Sequence, residues 1–425
     1  MASPLYRARS PAAAPMPMLE GAISADVAII GGGITGLSAA LHLAESGARV
    51  ALLEAHEAGW GASGRNGGQV NPGLKHDPDV VERDFGAELG ARMNRFAGEA
   101  PARVFALVRR YGIECDARQG GTLRAALDDA GRVQLERTMA QLRARGIPAE
   151  LLDRTAVAAV TGTDRYAAAL LDHRGGDLNP LAYCRGLARA ALARGARLHG
   201  ATRALALERG GAAGAPWRVR CARGTVEAAH IVLATNGYTD DLWPGLRRTV
   251  VPVFGSIAAT VPLEGPVAHK ILPGGSVLYE TGPITVYYRL DAERRLVIGG
   301  RGPQREVSSP DALSHLTAYA RRLWPELASV TWSHVWSGRL AMTRDAYPHL
   351  HRPAPGILAC LGYNGRGVAL ATAMGAEIAR LLMRPGDPPD MPVTGLRPIR
   401  LHALWPIAVR AVVAHGRLKD WLSSR

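Results

Sequence analysis

The stretch "VAIIGGGITGLSAALHLAESGARVALLEA", residues 27–55, decides the fold. Residues 27–30 are a short apolar run rich in branched side chains, the pattern of a strand buried on both faces of a parallel sheet. Gly31, Gly33 and Gly36 follow in G-x-G-x-x-G spacing, and Leu37, Ala39, Ala40, Leu41 and Leu43 then recur at helical intervals. The order is strand, tight turn, helix. In such a unit the first glycine permits the turn, the second lets the backbone approach a pyrophosphate, and the third lets the helix pack on the strand. A helix that starts near Thr35, just after Ile34, offers its free N–H groups and positive dipole end to the phosphates. Gly47 ends that helix, and residues 50–53 form a second strand. Glu54 closes the strand roughly 20 residues after the glycines, where a carboxylate binds a ribose hydroxyl. An arginine there would have pointed to a ribose phosphate. The reading predicts a dinucleotide site and leaves NAD and FAD both open.

The remaining composition narrows the class. The chain has 425 residues, 47% of them hydrophobic, enough to bury a large core in two intertwined domains. No apolar run approaches the roughly 20 residues of a membrane span, and prolines interrupt the N-terminal "MASPLYRARSPAAAPMPMLEG" where a signal peptide keeps an apolar core. A cytoplasmic location is the expectation. Cys115, Cys184, Cys221 and Cys360 lie far apart without a C-x-x-C pair, so no metal site and no disulfide framework is expected. The formal charge of +14 invites a nucleic-acid or membrane partner. The cations are mostly scattered arginines, with lysines only at Lys75, Lys270 and Lys419. An arginine-rich solvated surface, able to draw in an anionic substrate, is the simpler reading, and no nucleic-acid partner is expected.

Beyond residue 55, "AHEAGWGASGRNGGQVNPG" is a glycine-rich loop with no apolar periodicity. Helical patterns over 82–111 and 128–146 read as an insertion. A helix capped near Asn179 with Pro180 in its first turn, a turn at Gly195 and a strand over 231–233 ending at Ala234 return to the first theme. From 246 to 340 alternating strands such as "TVYYRLDAERRLVIGG" make an antiparallel second domain. In "GILACLGYNGRGVALATAMGAEIARLL", Gly362, Gly365 and Gly367 set a second helix N-terminus where an anion or an electron-rich ring can rest.

The fold class expected is therefore α/β, or α+β overall: a Rossmann-like nucleotide-binding domain built from discontinuous segments plus an antiparallel-sheet substrate domain. The nucleotide domain takes 20–81, 178–245 and 341–390; the substrate domain takes 82–177 and 246–340; a basic helical tail follows over 391–425. In that tail Trp405, Ile407, Val409, Val412, Val413, Leu418 and Trp421 alternate with arginines, a pattern that packs on its own domain more often than on a membrane.

From about residue 25 to 382 these segments resemble the FAD-dependent D-amino acid oxidase superfamily, and within it the γ-glutamylputrescine oxidoreductase and glycine/sarcosine-oxidase-like amine enzymes. The resemblance rests on "DVAIIGGGITGLSAALHLA", "GWGASGRNGGQ", "IVLATNGYT", "YYRLDAERRLVIGGRG", "WSGRLAMTRDAYPHL" and "LGYNGRGVALAT". It implies FAD as the cofactor. Gly31, Gly33, Ile34, Thr35 and Gly36 would then serve the pyrophosphate, and Glu54 with Ala55 the adenosine ribose. The loop of Gly61, Ala62, Ser63, Gly64, Arg65, Asn66, Gly67, Gly68 and Gln69 would follow the ribityl chain and flavin edge. Ala204 would offer its backbone to the adenine, with Ala234 at the end of its strand nearby. Gly362, Asn364, Gly365, Arg366 and Gly367 would aim a helix N-terminus at the pyrimidine end of the ring, where negative charge builds on reduction.

Two departures from relatives bear on chemistry. Where some tether FAD through histidine or cysteine, this chain has Arg65 and Gly338, which implies non-covalent FAD. Where sarcosine-oxidase-like relatives place a lysine that speeds reaction with oxygen, it has Val297, so the electron acceptor is oxygen or another carrier. The resemblance implies oxidation of the C–N bond of a small amine or amino acid, a γ-glutamylated polyamine among the candidates, with no need for a Ser/His/Asp set. Tyr288, Arg289 and Arg65 are the candidate catalytic or substrate-contact residues; His334, His349 and His351 read as structural. The rival readings are a flavin-dependent 2-hydroxy acid oxidase or dehydrogenase and a basic flavoprotein that acts on tRNA.

Overall fold

The strand Gly21–Ile30 pairs in parallel with Val50–Leu53 on one side and Gly224–Leu233 on the other, which places the 31–36 turn at the carboxyl end of a parallel sheet. The structure is a computed structural model that describes residues 4–210, 214–282, 285–407 and 409. The sheet runs, in order, Val393–Thr394, His349–Ala354, Ile357–Leu361, Gly224–Leu233, Gly21–Ile30, Val50–Leu53 and Arg197–His199. Its two faces bury separate cores. Val27, Ile29 and Leu52 point into the helical layer with Leu37, Leu41, Tyr183 and Met374, whereas Ala28, Ile30 and Leu53 meet Trp217, Val219 and Ile231. Such burial on both faces explains why the strand sequences are continuously apolar.

The second sheet has eight strands in the order Trp332–Met342, Val251–Thr260, Leu296–Arg301, Tyr287–Leu290, Val277–Glu280, Thr122–Ala126, Ala168–Asp172 and Ala149–Leu152. It is antiparallel except where Val277–Glu280 runs parallel to Thr122–Ala126. Its back face packs on Trp324, Tyr166 and Leu313. Its front face covers the nucleotide-binding segments, through Tyr287, Val297, Ile257 and Trp336 against Leu181.

Two placements differ from the sequence expectation. The helix Ala87–Tyr111, grouped by sequence with the substrate domain, buries Met93, Phe96 and Val104 in the core of the nucleotide domain. Its apolar stripe marks a packed helix but does not say against which sheet. The helix Pro4–Ala8, absent from the sequence reading, buries Leu5 and Tyr6 under the front face of the second sheet. The tail expectation from residue 410 onward lies outside the described residues. Among the described residues no helix is long and apolar enough to cross a membrane, and no cluster of three His, Cys, Asp or Glu residues is placed to hold a metal ion. All four cysteines are buried free thiols.

Candidate active site

The turn after the first strand is built around two close backbone contacts. Gly31 has φ of +111°, and a Cβ on it would lie 2.7 Å from the carbonyl oxygen of Ala234. A Cβ on Gly36 would lie only 2.0 Å from the carbonyl oxygen of Gly31. The helix Ile34–Glu45 starts here with no side-chain cap, so its N-terminal N–H groups are left to other partners. The N–H of Ile34 donates to Ser63 Oγ at 3.0 Å, which ties the second loop to the first.

Glu54 sits at the end of Val50–Leu53 and accepts from the Gly32 N–H at 2.7 Å and the His56 N–H at 2.9 Å, one to each oxygen. Burial raises its pKa, and these backbone donors work against that rise. Ala55 follows it, and the Glu54 carbonyl accepts from Thr202 two residues before the buried Ala204. The sequence-predicted ribose acid, pyrophosphate turn and adenine-side backbone thus occupy one end of one sheet.

The glycine-rich loop crosses from there to the second sheet. Ala62, Ser63 and Gly64 form a single 3-10 turn after Gly61. Asn66 donates to the carbonyls of Ala62 and Ser63 and accepts from the Gly68 N–H at 2.8 Å. Gln69 donates to the Leu278 carbonyl at 2.9 Å, fastening the loop to the sheet above. Gly67 and Gly299 clasp the ring of Tyr287 so closely that a Cβ would fall 2.5 Å and 2.2 Å from it.

Arg65 is 3% exposed. Its Nε donates to the Trp60 carbonyl at 3.0 Å, its Nη1 reaches Glu306 at 3.2 Å, and its plane lies over the Trp60 ring. Among the described residues its Nη2 is buried without a partner. A buried, unspent donor of a permanent cation beside the loop is what an oxygen or nitrogen of a flavin or an anionic substrate would satisfy. Gly338 packs against Arg65: a Cβ there would meet the arginine's own Cβ at 3.1 Å.

The third piece is the 362–367 turn. Gly362, Asn364 and Gly365 all have φ between +53° and +88°. Asn364 holds the turn by donating to the Gly362 carbonyl at 2.6 Å and by accepting from the Thr343 N–H at 2.9 Å. The helix Gly367–Met383 then starts without a side-chain cap. Tyr363 reaches back to Thr35 at 2.5 Å between oxygens, so the starts of the two helices are joined.

The structure separates the two substrate-contact candidates of the second sheet, placing Tyr288 away from the glycine loop and Arg289 toward it. Tyr288 is fully buried on the back face, its ring edge-on to Trp324 and its hydroxyl 3.0 Å from that of Tyr166. Tyr287, one residue earlier, is the ring that faces the glycine loop. Arg289 does face the loop, but its donors are spent: it gives to the Gly67 carbonyl at 2.6 Å, to Asp177 at 2.8 Å, to Leu178 at 3.3 Å and to the Tyr6 hydroxyl at 3.4 Å. It joins the N-terminal helix, the loop and the sheet. Val297 is 1% exposed and lies under Leu5 and Tyr6. His349 pairs with Asp345, and His351 with Thr394 and Gly395.

Three loops with close backbone approach, two uncapped helix N-termini and a backbone-anchored carboxylate meet at one end of the parallel sheet, under the second sheet. A description of FAD dependent oxidoreductases matches residues 26–381. The chain belongs to the FAD dependent oxidoreductase (DAO) family. It is 34% identical over 383 residues to γ-glutamylputrescine oxidoreductase of Escherichia coli (strain K12), covering 89% of this chain and 88% of that protein. It is 27% identical over 380 residues to glycine oxidase of Bacillus licheniformis, covering 85% and 94%. Among solved structures, glycine oxidase from Geobacillus kaustophilus has the same fold, with a TM-score of 0.70 at 24% identity over 85% of this chain and 95% of that one. L-proline dehydrogenase from P. horikoshii matches with a TM-score of 0.72 at 19% identity over 88% and 95%. This DAO family member is thus an FAD-dependent oxidoreductase of the amine and amino-acid group.

The residues fit that cofactor on their own terms. The Gly31 and Gly36 contacts leave no room for side chains in the turn, Glu54 is fixed in place by backbone donors, and Arg65 keeps a buried donor free.

Proposed function

We propose that this chain oxidises the C–N bond of a small primary or secondary amine or amino acid, with a γ-glutamylated polyamine as the first substrate to test. The observation that carries this reading is the 34% identity to γ-glutamylputrescine oxidoreductase across 89% of the chain. FAD, when bound, would supply the oxidising chemistry that turns the C–N bond into an imine, which water hydrolyses. The turn at Gly31, Gly33 and Gly36 holds the pyrophosphate in this proposal, Glu54 the ribose, and the loop from Ala62 to Gln69 the ribityl chain. Arg65 offers its free Nη2, and the N-terminus of Gly367–Met383 favours negative charge beside it. Tyr287, Trp336 and the Tyr6 helix exclude water from the front face of the second sheet.

Anaerobic mixing of the purified holoenzyme with amines, amino acids and 2-hydroxy acids tests the reading. Bleaching of the flavin by an amine, and not by hydroxy acids, is the expected result; bleaching by hydroxy acids alone would replace it with the rival chemistry. Tight, salt-sensitive retention of tRNA on a filter would instead favour the nucleic-acid rival.

The proposal also includes non-covalent FAD, because an arginine and a glycine stand at Arg65 and Gly338. Acid precipitation should leave a colourless pellet and a yellow supernatant. Flavin that stays with the pellet would show a tether at some other residue.

A further inference from the structure

Two side chains of the second sheet hold the glycine loop by its backbone. Trp336 donates its indole N–H to the Arg65 carbonyl at 2.8 Å, and Arg289 donates Nε to the Gly67 carbonyl at 2.6 Å. The two carbonyls flank Asn66. A residue from far outside the loop touches both holders. The ring of Tyr6 stands edge-on to Trp336 with centroids 5.1 Å apart, and its hydroxyl accepts from Arg289 Nη2 at 3.4 Å. Together with Leu5, Tyr6 fills the space between Val297 and Trp336 of the sheet and Leu181 at the start of the helix Pro180–Ala193.

The segment that carries Tyr6 crosses from one domain to the other. Arg9 forms an ion pair with Glu293, in the turn before Leu296–Arg301, and Arg7 pairs with Glu57, three residues beyond Glu54. From the nucleotide domain Asn179 donates to the Arg9 carbonyl at 3.4 Å and Arg185 to the Pro11 carbonyl at 2.7 Å. Farther along, the Gly200 N–H donates to the Met16 carbonyl at 3.2 Å and the Leu19 N–H to Thr202 Oγ1 at 3.0 Å. The regular structure of residues 4–19 is one helix of five residues, and most of these ties run through side chains. A segment held in this way undocks by losing side-chain contacts while both sheets keep their ladders.

We propose that residues 4–11 are a latch for the cofactor. Docked, Tyr6 braces Arg289 and Trp336 and so holds the loop around Asn66 closed on FAD; undocked, it leaves the loop loose and FAD exchanges. The coupling runs both ways, because FAD seated against the loop keeps in place the two side chains on which Tyr6 docks. A latch that tightens FAD binding by some factor is held shut by FAD by the same factor. This rests on non-covalent FAD and not on the substrate reading; a tethered flavin is recognised separately, by colour in the acid pellet.

Limited trypsin digestion of the parent protein with and without FAD, with cut sites read by mass spectrometry, is the test. Cleavage after Arg7 or Arg9 requires the latch to undock. Cleavage after Arg143 does not, since its helix Asp129–Ala144 packs at the opposite edge of the second sheet. FAD should slow the first about tenfold, within the usual span of such couplings, and leave the second unchanged. Chains nicked after Arg9 should release FAD faster than intact ones. Tyr6→Ala should raise the Kd for FAD, followed by flavin fluorescence, by the same factor of about ten, and Tyr6→Phe, which keeps the ring on Trp336 and loses only the hydroxyl, should fall between it and the parent. Equal cleavage after Arg9 with and without FAD would overturn the proposal, as would parental FAD affinity in both the nicked chain and Tyr6→Ala. Weakened FAD binding in Tyr6→Ala without protection of Arg7 and Arg9 by FAD would reduce Tyr6 to a packing residue and overturn the latch as well.

Discussion

Gly36→Ala should give a protein that no longer retains FAD and melts well below the parent. The added methyl would stand 2.0 Å from the Gly31 carbonyl oxygen and 3.2 Å from the Ile29 side chain. Neither neighbour can give way cheaply, because Gly31 is itself locked between Ala234 and the Leu53 carbonyl, whose oxygen accepts the Gly31 N–H at 2.9 Å. The helix Ile34–Glu45 must therefore back away from the strand, at a cost of about 3 kcal/mol in packing alone. The same shift misplaces the helix N-terminus that receives the pyrophosphate. Gly33→Ala makes the informative control. Its methyl would meet only Ser63 Oγ, at 2.7 Å, and a serine side chain can rotate. Apo-protein stability should then stay close to the parent while FAD is still lost, since the obstruction falls on the cofactor's side of the turn. Melting curves of both apo-proteins, with flavin-to-protein ratios after desalting, separate the two. Parental flavin content in both variants would remove the pyrophosphate from this turn.

The contrast between those two glycines shows what was legible in the sequence. The strand, turn, helix and second strand of the nucleotide unit lie within 29 consecutive residues, and their pairing follows from local pattern: glycine spacing, helical apolar spacing and a terminal acid. The place of Glu54 at the end of the second strand, against the Gly32 N–H, follows from the same local pattern. What sequence reasoning missed was non-local or rested on register. Tyr288 and Arg289 were both expected to face the substrate, yet neighbours in a strand point to opposite faces. The pairing of Arg289 with Val297 and of Tyr287 with Gly299 puts Tyr287 on the front, and the alternation in "TVYYRLDAERRLVIGG" carried that signal. The parallel pairing of Thr122–Ala126 with Val277–Glu280 joins segments some 150 residues apart, and nothing local announces it. Leu5 and Tyr6 are two apolar residues in a five-residue helix, too short for periodicity to register, and only the roof above them explains their burial.

Arg289→Met should destabilise the protein before it affects any chemistry. Asp177 is 1% exposed and receives both Arg289, through Nη1 at 2.8 Å, and Arg118, through Nη2 at 2.8 Å. Removing one partner of a buried pair typically costs about 3–5 kcal/mol, because the remaining charge stays desolvated. Arg118 still faces Asp177, so the lower end of that range, about 3 kcal/mol, applies here. The Gly67 and Leu178 carbonyls lose a donor at the same time, and both lie along the glycine loop's contact with the sheet. The loop from Gly67 to Gln69 should loosen, and FAD retention should fall with it. Arg289→Lys is the sharper comparison: it keeps the charge but not the fork that reaches Gly67, Asp177 and Leu178 together, so it should recover only part of the stability. Thermal unfolding of the apo-protein distinguishes the two roles for this residue, since no substrate or cofactor is then present. A substrate-binding arginine would leave that melting temperature unchanged and raise KM in the loaded enzyme. A positioning arginine lowers the apo-protein's melting temperature, and whatever activity remains follows the fraction of chains that still hold FAD, with KM near the parental value.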